Sequence, residues 1–304
     1  MSLRHVLEAW GMAAAASLVG RFPLPRVQAL AAGIARRAFD HGGRRVEIVL
    51  ANLRIAFPEA SEAERREIGR ESFVHFGWNL IDVLRAQHWS REDYASRLSL
   101  EGLEHLEPWR SERRGIIALS LHLGNFELVP PATALAGIRG AIVARRMSNP
   151  RLYARIAAER TRFGHQLIDS KNAVRGVLRA LRDARMVGFL NDQYSRRGSC
   201  VFVPLFGARC ATSTGVAMLA LRTGAPVIPV YSLRGGPDRH VVRFEPALEF
   251  DPSGDRKRDI ESLTAACNAA IESIIRRWPQ QYMWGHRRFR YSPDLARSPY
   301  PARK

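Results

Sequence analysis

Short apolar runs alternate with amphipathic stretches from Leu98 onward, and this alternation constrains the fold more than any other feature of the chain. Each run has the length of a strand and is followed by residues at helical spacing, the pattern of repeated strand-helix-strand units. It predicts an α/β fold with a largely parallel sheet flanked by helices. The predicted strands are Ile116 to Leu121, Gly140 to Ala144, Gln166 to Ile168, Met186 to Leu190, Pro226 to Tyr231, and His240 to Phe244 as a late or edge strand.

Helical spacing dominates the chain before Leu98. Ser61 and Glu64 form a capping box that opens a long amphipathic helix. We therefore expect an N-terminal helical region over residues 1–97 and an α/β core over residues 98–304. The apolar face predicted for the long helix consists of Ile68, Phe73, Phe76, Leu80, Val83 and Leu84, and further helices are predicted near Arg26 to Phe39, Arg44 to Phe57, Phe126 to Ala136, Pro150 to Phe163, Ala173 to Asp183, Ser213 to Thr223 and Arg256 to Trp278.

The first residues are apolar between Ala9 and Val19, with Arg4 before them. A helix that spans a bilayer needs ~20 apolar residues, and Glu8 and Arg21 bracket fewer. We expect residues 3–20 to form a membrane-associating helix in the inner leaflet, with Trp10 near the interface. The same residues would suit an ordinary buried helix equally well.

A base and an acid follow the first predicted strand of the core, in the sequence HLGNFE from His122 to Glu127. On one helix these side chains would point about 140° apart, so they can meet only across a turn at Gly124-Asn125. A carboxylate on one imidazole nitrogen would fix the tautomer and make His122 a base near neutral pH. We find no GxSxG nucleophile, so the base is expected to activate a hydroxyl of a bound acceptor. The alternative is a histidine that only satisfies local hydrogen bonds.

Three further polar clusters follow predicted strands, at the edge where parallel sheets bind ligands. They are Arg145-Arg146, Asn191-Asp192-Gln193 and Arg196-Arg197. A guanidinium there can bind a phosphate, although paired arginines are often only solvated surface, and Asp192 can equally cap a turn. The glycine-containing turn from Arg234 to Asp238 is expected to be exposed.

The formal charge of +18 indicates a surface that attracts anions, such as a phosphorylated lipid, an anionic bilayer or nucleic acid. The charge is spread along the chain, and neither a zinc-finger spacing nor an RNP-like aromatic pattern occurs, although a helix-turn-helix is harder to exclude. We therefore do not expect nucleic acid as the partner. The cysteines form no CxxC pair, so neither a disulfide framework nor a zinc site is indicated.

The chain resembles the lipid A late acyltransferases, the lauroyl and myristoyl transferases of the glycerolipid acyltransferase superfamily. HLGNFE is similar to their histidine-x4-acid box. The resemblance continues through ARRMSNPRL (Ala144 to Leu152), through Asn191-Asp192-Gln193 into Val201 to Tyr231, and through QYMWGHRRFR (Gln281 to Arg290).

The resemblance implies an enzyme that moves a fatty acyl chain from an acyl-carrier-protein thioester, or acyl-CoA, to a hydroxyl of a phosphorylated glycolipid such as a lipid A precursor. It implies no cofactor or metal, and a location on the cytoplasmic face of the inner membrane. His122 and Glu127 would be catalytic, and backbone N–H groups of Gly124 and Asn125 would be candidates to bind the oxyanion. The substrate-binding candidates are Arg145, Arg146, Asp192, Gln193 and Arg196, and the acyl pocket would contain Val203, Pro204, Leu205 and Phe206.

Two alternatives stay open on the sequence. One keeps the fold and the reaction and changes the acceptor to another glycolipid, such as a phosphoinositide mannoside or an ornithine lipid. The other is a basic protein that binds a membrane surface or nucleic acid without catalysis.

Overall fold

A computed structural model describes residues 11–12, 15–144, 146–195 and 200–302. Most of the predicted membrane-associating helix, including Trp10, lies outside these residues, and residues 15–21 are helical. The helices that follow are α1 (Leu24–Asp40), α2 (Arg44–Ala56), α3 (Glu62–Ala86), α4 (Arg91–Arg97), α5 (Glu107–Ser111), α6 (Val129–Leu135), α7 (Pro150–Thr161), α8 (Ala173–Arg182), α9 (Gly215–Thr223) and α10 (Arg256–Arg277).

A seven-stranded sheet runs through the core in the order β1-β9-β8-β2-β5-β3-β4, and a two-stranded hairpin, β6-β7, lies apart from it. Every neighbouring pair in the large sheet is parallel except β8 and β9. The strands are β1 (Leu98–Glu101), β2 (Ile116–Ser120), β3 (Gly140–Ala144), β4 (Gln166–Asp169), β5 (Met186–Leu190), β6 (Cys200–Leu205), β7 (Ala208–Ser213), β8 (Val227–Gly236) and β9 (Arg239–Phe244).

The predicted α/β fold with a largely parallel, helix-flanked sheet is confirmed. The strand predicted as late or at an edge is late: it is β9, which lies between β8 and the short strand β1. The sequence pattern did not predict β1. The prediction that Arg234 lies in an exposed turn is wrong, because β8 continues to Gly236 and this arginine is only 8% exposed.

Strand β2 is buried along its whole length, as expected of a central strand covered on both faces. Successive side chains point to opposite faces, and they join different clusters. Ile117 and Leu119 pack with α2, α8, α9 and α10 on one face, whereas Ile116 and Ala118 pack with the region of α6 on the other. The end of β2 is therefore held rigidly from both sides.

The predicted capping box is confirmed: Ser61 and Glu64 exchange both hydrogen bonds at the start of α3. The apolar face predicted for this helix is partly wrong. Leu84 is buried as predicted, but Phe76 and Leu80 are 53% and 52% exposed, and the helix is buried instead through Val74 and Ile81. The reason is that α1 contacts α3 along the line of Gly77, which leaves Phe76 and Leu80 beside the contact.

Candidate active site

His122 lies two residues beyond the end of β2, and its position relative to the neighbouring strand determines its partner. Strands β2 and β5 are parallel, with Ser120 opposite Leu190. The N–H of Asn191 donates to the carbonyl of Ser120 at 3.0 Å, so the two chains stay in register past the strand ends. Two residues further along both chains, His122 meets Asp192.

Asp192 binds His122 at two points. The Nδ1 of the imidazole is 2.8 Å from Oδ1 of the carboxylate, and the backbone N–H of His122 donates to Oδ2 at 3.2 Å. The side chain of Asp192 is 1% exposed and that of His122 is 14% exposed. When Nδ1 donates to the carboxylate, Nε2 keeps its lone pair and can accept a proton.

The pair shifts the pKa of both groups. Burial by itself would lower the pKa of His122, but the charge and hydrogen bond of Asp192, with the charge of Glu127, outweigh it and raise the pKa above the ordinary value. Burial would raise the pKa of Asp192, but its interactions with His122 outweigh it and lower the pKa. The carboxylate therefore stays ionised and strengthens the imidazole as a base.

Glu127, the acid that the sequence paired with His122, binds another side chain. It lies in a short 3₁₀ turn, Phe126–Leu128, and its carboxylate accepts two hydrogen bonds from Arg160 on α7, at 2.6 and 2.9 Å. The expected contact of Glu127 with the ring is therefore replaced by that of Asp192. Glu127 still acts on His122 through its charge.

Arg160 was not identified from the sequence, because nothing in the spacing of α7 distinguishes it from its neighbours. Only the folded chain brings it to Glu127. Two of its nitrogens are used in that contact, which leaves further guanidinium N–H groups for other partners. The side chain of Arg160 is 21% exposed and lines a cavity that His122 also lines.

The turn after His122 is held by backbone bonds to the C-terminal segment. Gly124 has a φ of 52°, and an added Cβ would lie 2.1 Å from the carbonyl oxygen of Ser232, so only glycine fits. Its N–H donates to the carbonyl of Gln281 at 3.0 Å, and the N–H of Met283 donates to the carbonyl of His122 at 3.0 Å. The N–H of Gly124 is therefore already bound, contrary to its predicted role as an oxyanion donor.

A buried charged cluster lies beneath the same turn. Arg234 binds Asp82 directly, and Nε2 of His240 is 3.3 Å from the same carboxylate. Asn125, whose backbone N–H is the other predicted oxyanion donor, is 1% exposed, and its side-chain Nδ2 is 3.4 Å from Asp82. Asn79 donates to the carbonyl of Gly124 at 2.7 Å. The cluster thus supports the turn from α3 and β8, and no sequence pattern pointed to it.

The remaining predicted substrate-binding residues are dispersed. Gln193 lies against His122, with its Nε2 3.4 Å from the Nε2 of the ring. Arg146 is 71% exposed and forms an ion pair with Asp169 at 2.7 Å. Arg145 and Arg196 lie outside the described residues.

A cavity of about 450 Å³ is lined by His122 and by residues along the whole length of β3 and β5. We call it the first cavity. Its walls are mainly apolar, with Ala118, Ile142 and Gly188 from three neighbouring strands, and Glu127 and Arg160 lie with His122 at its polar end. The residues that the resemblance assigned to an acyl pocket are not among its walls. Val203 and Leu205 of β6 and Phe206 in the turn that follows are buried elsewhere in the protein.

The chain matches the sequence profile described as bacterial lipid A biosynthesis acyltransferase over residues 1–291. It belongs to that family. It is 32% identical to the lipid A biosynthesis lauroyltransferase of Escherichia coli (strain K12), over 93% of this chain and 91% of that protein. It is also 28% identical to the palmitoleoyltransferase of the same organism, over 90% and 88%, and 26% identical to its myristoyltransferase, over 77% and 72%. The protein is therefore an acyltransferase, and the non-catalytic alternative is set aside.

Proposed function

We propose that this acyltransferase moves a fatty acyl chain from a carrier thioester to a hydroxyl group of a lipid A precursor, with His122 as the general base. The observation that carries the proposal is the contact between His122 and the buried Asp192 at the mouth of an apolar cavity. A base, an apolar channel and a partly exposed guanidinium meet at one point. Acyl transfer to a hydroxyl needs these groups together.

The reaction begins when Nε2 of His122 takes the proton of the acceptor hydroxyl. The oxygen attacks the thioester carbonyl carbon and forms a tetrahedral intermediate. The carbon–sulfur bond then breaks, and the imidazolium returns its proton to the departing thiolate. The products are the ester and the free carrier thiol. Asp192 stabilises the imidazolium in between.

Arg160 is the group best placed to stabilise the oxyanion, since the N–H of Gly124 is occupied. Its guanidinium keeps free donors after binding Glu127, and it lies beside His122 at the polar end of the first cavity. A fixed positive charge there favours the negative oxygen that develops in the transition state. Glu127 would hold the guanidinium in place and contribute its own charge to the imidazolium.

The first cavity is the proposed site of the donor's acyl chain. Its walls come from β2, β3, β5 and α6, and its floor includes His165, whose Nε2 lies 2.8 Å from the hydroxyl of Thr133. Burial lowers the pKa of His165 to about 4, so the floor is uncharged at neutral pH. We propose acyl carrier protein as the carrier, with acyl-CoA as the alternative, and a lipid A precursor as acceptor because the relatives carry lipid A in their names.

The same enzyme is proposed to work at the cytoplasmic face of the inner membrane, as a peripheral or monotopic protein. Large apolar side chains are exposed on the N-terminal helices: Leu18 and Phe22 to 56% and 50%, and Leu30 and Ile34 to 65% and 61%. A strongly cationic protein with such side chains is suited to an anionic bilayer surface. Within the described residues no helix has the length and apolar character needed to cross a membrane.

The proposal is tested by replacing the base. His122→Ala is expected to fold normally and to lose transfer by roughly 10²- to 10⁴-fold, because the hydroxyl then lacks a general base. Transfer is measured as acylated lipid by mass spectrometry and as thiol released from acyl carrier protein. The matched control is His41→Ala, which removes an exposed imidazole at the end of α1. Full transfer by a folded His122→Ala variant would refute the proposed mechanism.

A further inference from the structure

A second cavity, of about 550 Å³, lies between α2, α3 and the C-terminal segment around Met283. It does not share its walls with the first cavity. Arg44 and Arg45 at the start of α2 and Arg287 in the C-terminal segment line it. The proposed donor site lies outside this cavity. Of the predicted substrate-binding residues that the structure describes, Gln193 alone is part of its wall.

Two wall residues of the second cavity, Gln193 and Met283, contact His122, which itself lines the first cavity. The Nε2 of Gln193 is 3.4 Å from Nε2 of the ring. Met283, another wall residue, donates its N–H to the carbonyl of His122 at 3.0 Å. A molecule bound there and extending past Gln193 would approach the imidazole without occupying the first cavity. Transfer between two substrates requires such an arrangement, in which both substrates reach the base.

The charge of the second cavity is positive. The part of its wall that the structure describes contains no carboxylate, and neither Arg44 nor Arg45 forms an ion pair or a side-chain hydrogen bond with another described residue. Both are exposed. Arg287 is oriented by its hydrogen bond of 2.9 Å to the carbonyl of Pro301 and by the ring of Tyr300. By contrast, Arg146 already has Asp169 as its partner.

Part of the wall of the second cavity is apolar. Ile48 and Val49 of α2 and Phe73 and Phe76 of α3 also line this cavity, and Phe76 is 53% exposed. Guanidinium groups beside an apolar wall suit a ligand that combines a phosphate with hydrocarbon. An acidic protein surface would meet the arginines at the rim but would leave this concave apolar wall unfilled.

We propose that the second cavity binds the acceptor, with the phosphate of the glycolipid on Arg44 and Arg45, the hydrocarbon on the wall formed by Phe73 and Phe76, and the reactive hydroxyl directed past Gln193 to His122. This inference rests on the proposed function and assigns the acceptor side of that reaction. It replaces Arg146 as the phosphate-binding residue.

The experiment compares Arg44→Gln/Arg45→Gln with the wild-type enzyme at saturating donor, with a phosphorylated lipid A precursor and its dephosphorylated counterpart as acceptors. For the phosphorylated acceptor KM is expected to rise about ten-fold, since hydrogen bonds to charged groups contribute this much. The kcat at saturating acceptor and the donor KM should stay within two-fold of wild type. For the dephosphorylated acceptor the two enzymes should have the same KM.

The matched control is Arg175→Gln/Arg179→Gln, which removes the same charge from the exposed face of α8, away from both cavities. It tests whether any loss of positive charge weakens acceptor binding. Arg146→Gln is measured alongside as the competing phosphate site. An unchanged acceptor KM in the double variant of α2, or a larger rise in Arg146→Gln, would overturn the assignment.

A rise in donor KM with an unchanged acceptor KM would place the carrier protein on these arginines and would equally overturn it. Binding is measured separately by calorimetry in a His122→Ala background, in which turnover cannot interfere. Weaker binding of the phosphorylated acceptor there supports the second cavity even if transfer fails for another reason. A wild-type enzyme without transfer activity would refute the proposed function. The calorimetric binding of the phosphorylated acceptor would then decide by itself whether the second cavity is its site.

A second variant addresses the shape of the second cavity. A Cβ added at Gly285 would meet no atom within 4 Å, so Gly285→Leu should fold and narrow this cavity alone. We expect a higher KM for the acceptor with an unchanged preference for donor chain length. A change in chain-length preference with no change in acceptor KM would contradict the assignment of the two cavities.

Discussion

Two carboxylates lie close to His122, and they differ in almost every property that matters for catalysis. Asp192 follows β5, is 1% exposed, and contacts the imidazole at 2.8 Å. Glu127 follows β2, is 26% exposed, and binds Arg160 at 2.6 Å. Glu127 is five residues from His122 in sequence, whereas Asp192 is 70 residues away. Proximity in sequence therefore did not decide which acid orients the base.

The comparison shows how a parallel sheet sets up a proton-transfer pair. Side chains at equal distances beyond two neighbouring strands lie next to each other, and the register of Ser120 with Leu190 places Asp192 against the ring. Glu127 lies further along the turn that follows β2, and its carboxylate points toward Arg160 on α7. Asp192 is suited to fix the tautomer, and Glu127 to hold the guanidinium of Arg160 at the wall of the first cavity.

Among variants that separate the two acids, the largest effect is expected for Asp192→Asn. The variant keeps the size of the side chain but loses its charge, so the imidazolium is no longer stabilised, and kcat should fall roughly 10²- to 10³-fold. The neutral imidazole is the active form, so the rate falls as the pH is lowered through the raised pKa of His122. Without the carboxylate, burial lowers this pKa, and the acid limb of kcat/KM should move to lower pH.

Asp259→Asn is the matched control for the pH dependence of kcat/KM. Asp259 is 5% exposed and accepts a hydrogen bond from Ser253, so its loss affects stability without acting on His122. The kcat/KM of Asp259→Asn should fall at the same acidic pH as that of the wild type. An acid limb in Asp192→Asn that stays at the wild-type pH would show that Asp192 does not control the base.

A smaller effect is expected for Glu127→Gln. The amide still accepts a hydrogen bond from Arg160, but the guanidinium is held less firmly, so kcat should fall roughly ten- to hundred-fold with little movement of the acid limb. In an Arg160→Gln background, where the oxyanion donor is already lost, Glu127→Gln should cost almost nothing more. If Glu127→Gln shifts the acid limb as far as Asp192→Asn does, the two acids share the orienting role and the distinction fails.

The smallest effect on kcat is expected for Gly188→Leu. This variant tests whether the first cavity, which Glu127 and His122 also line, holds the acyl chain of the donor. A Cβ at Gly188 would meet no atom within 4 Å, so the new side chain enters the first cavity. The preferred donor should become shorter by about two to four carbons, with about four-fold discrimination per methylene. Product masses from a mixture of acyl-carrier thioesters give the profile.

Gly188→Ala should shift the chain-length profile less than Gly188→Leu, and Gly285→Leu should not shift it. A folded Gly188→Leu enzyme with the wild-type profile would mean that the acyl chain lies elsewhere.

Strand ends and helix starts were predictable because their signals are local. The apolar runs predicted β2, β3 and β5 to within a residue, and the hydroxyl and carboxylate of the capping box predicted the start of α3. The exposed Phe76 and the buried Arg234 were not predictable, because each depends on what packs against it. Hydrophobic spacing identifies a face but not its partner, and a polar residue late in a strand looks like a turn.

The sequence by itself determined that a histidine follows a buried strand at the edge where parallel sheets bind ligands, since strand propensity and turn chemistry act over a few residues. Only the tertiary structure decided that Asp192 meets the ring, that Arg160 holds Glu127, and that His122 lines one cavity while its neighbour Gln193 lines another. These depend on the order of the strands and on the helices packed against them. Contacts between residues far apart in the chain arise when the sheet closes, and no local pattern encodes them.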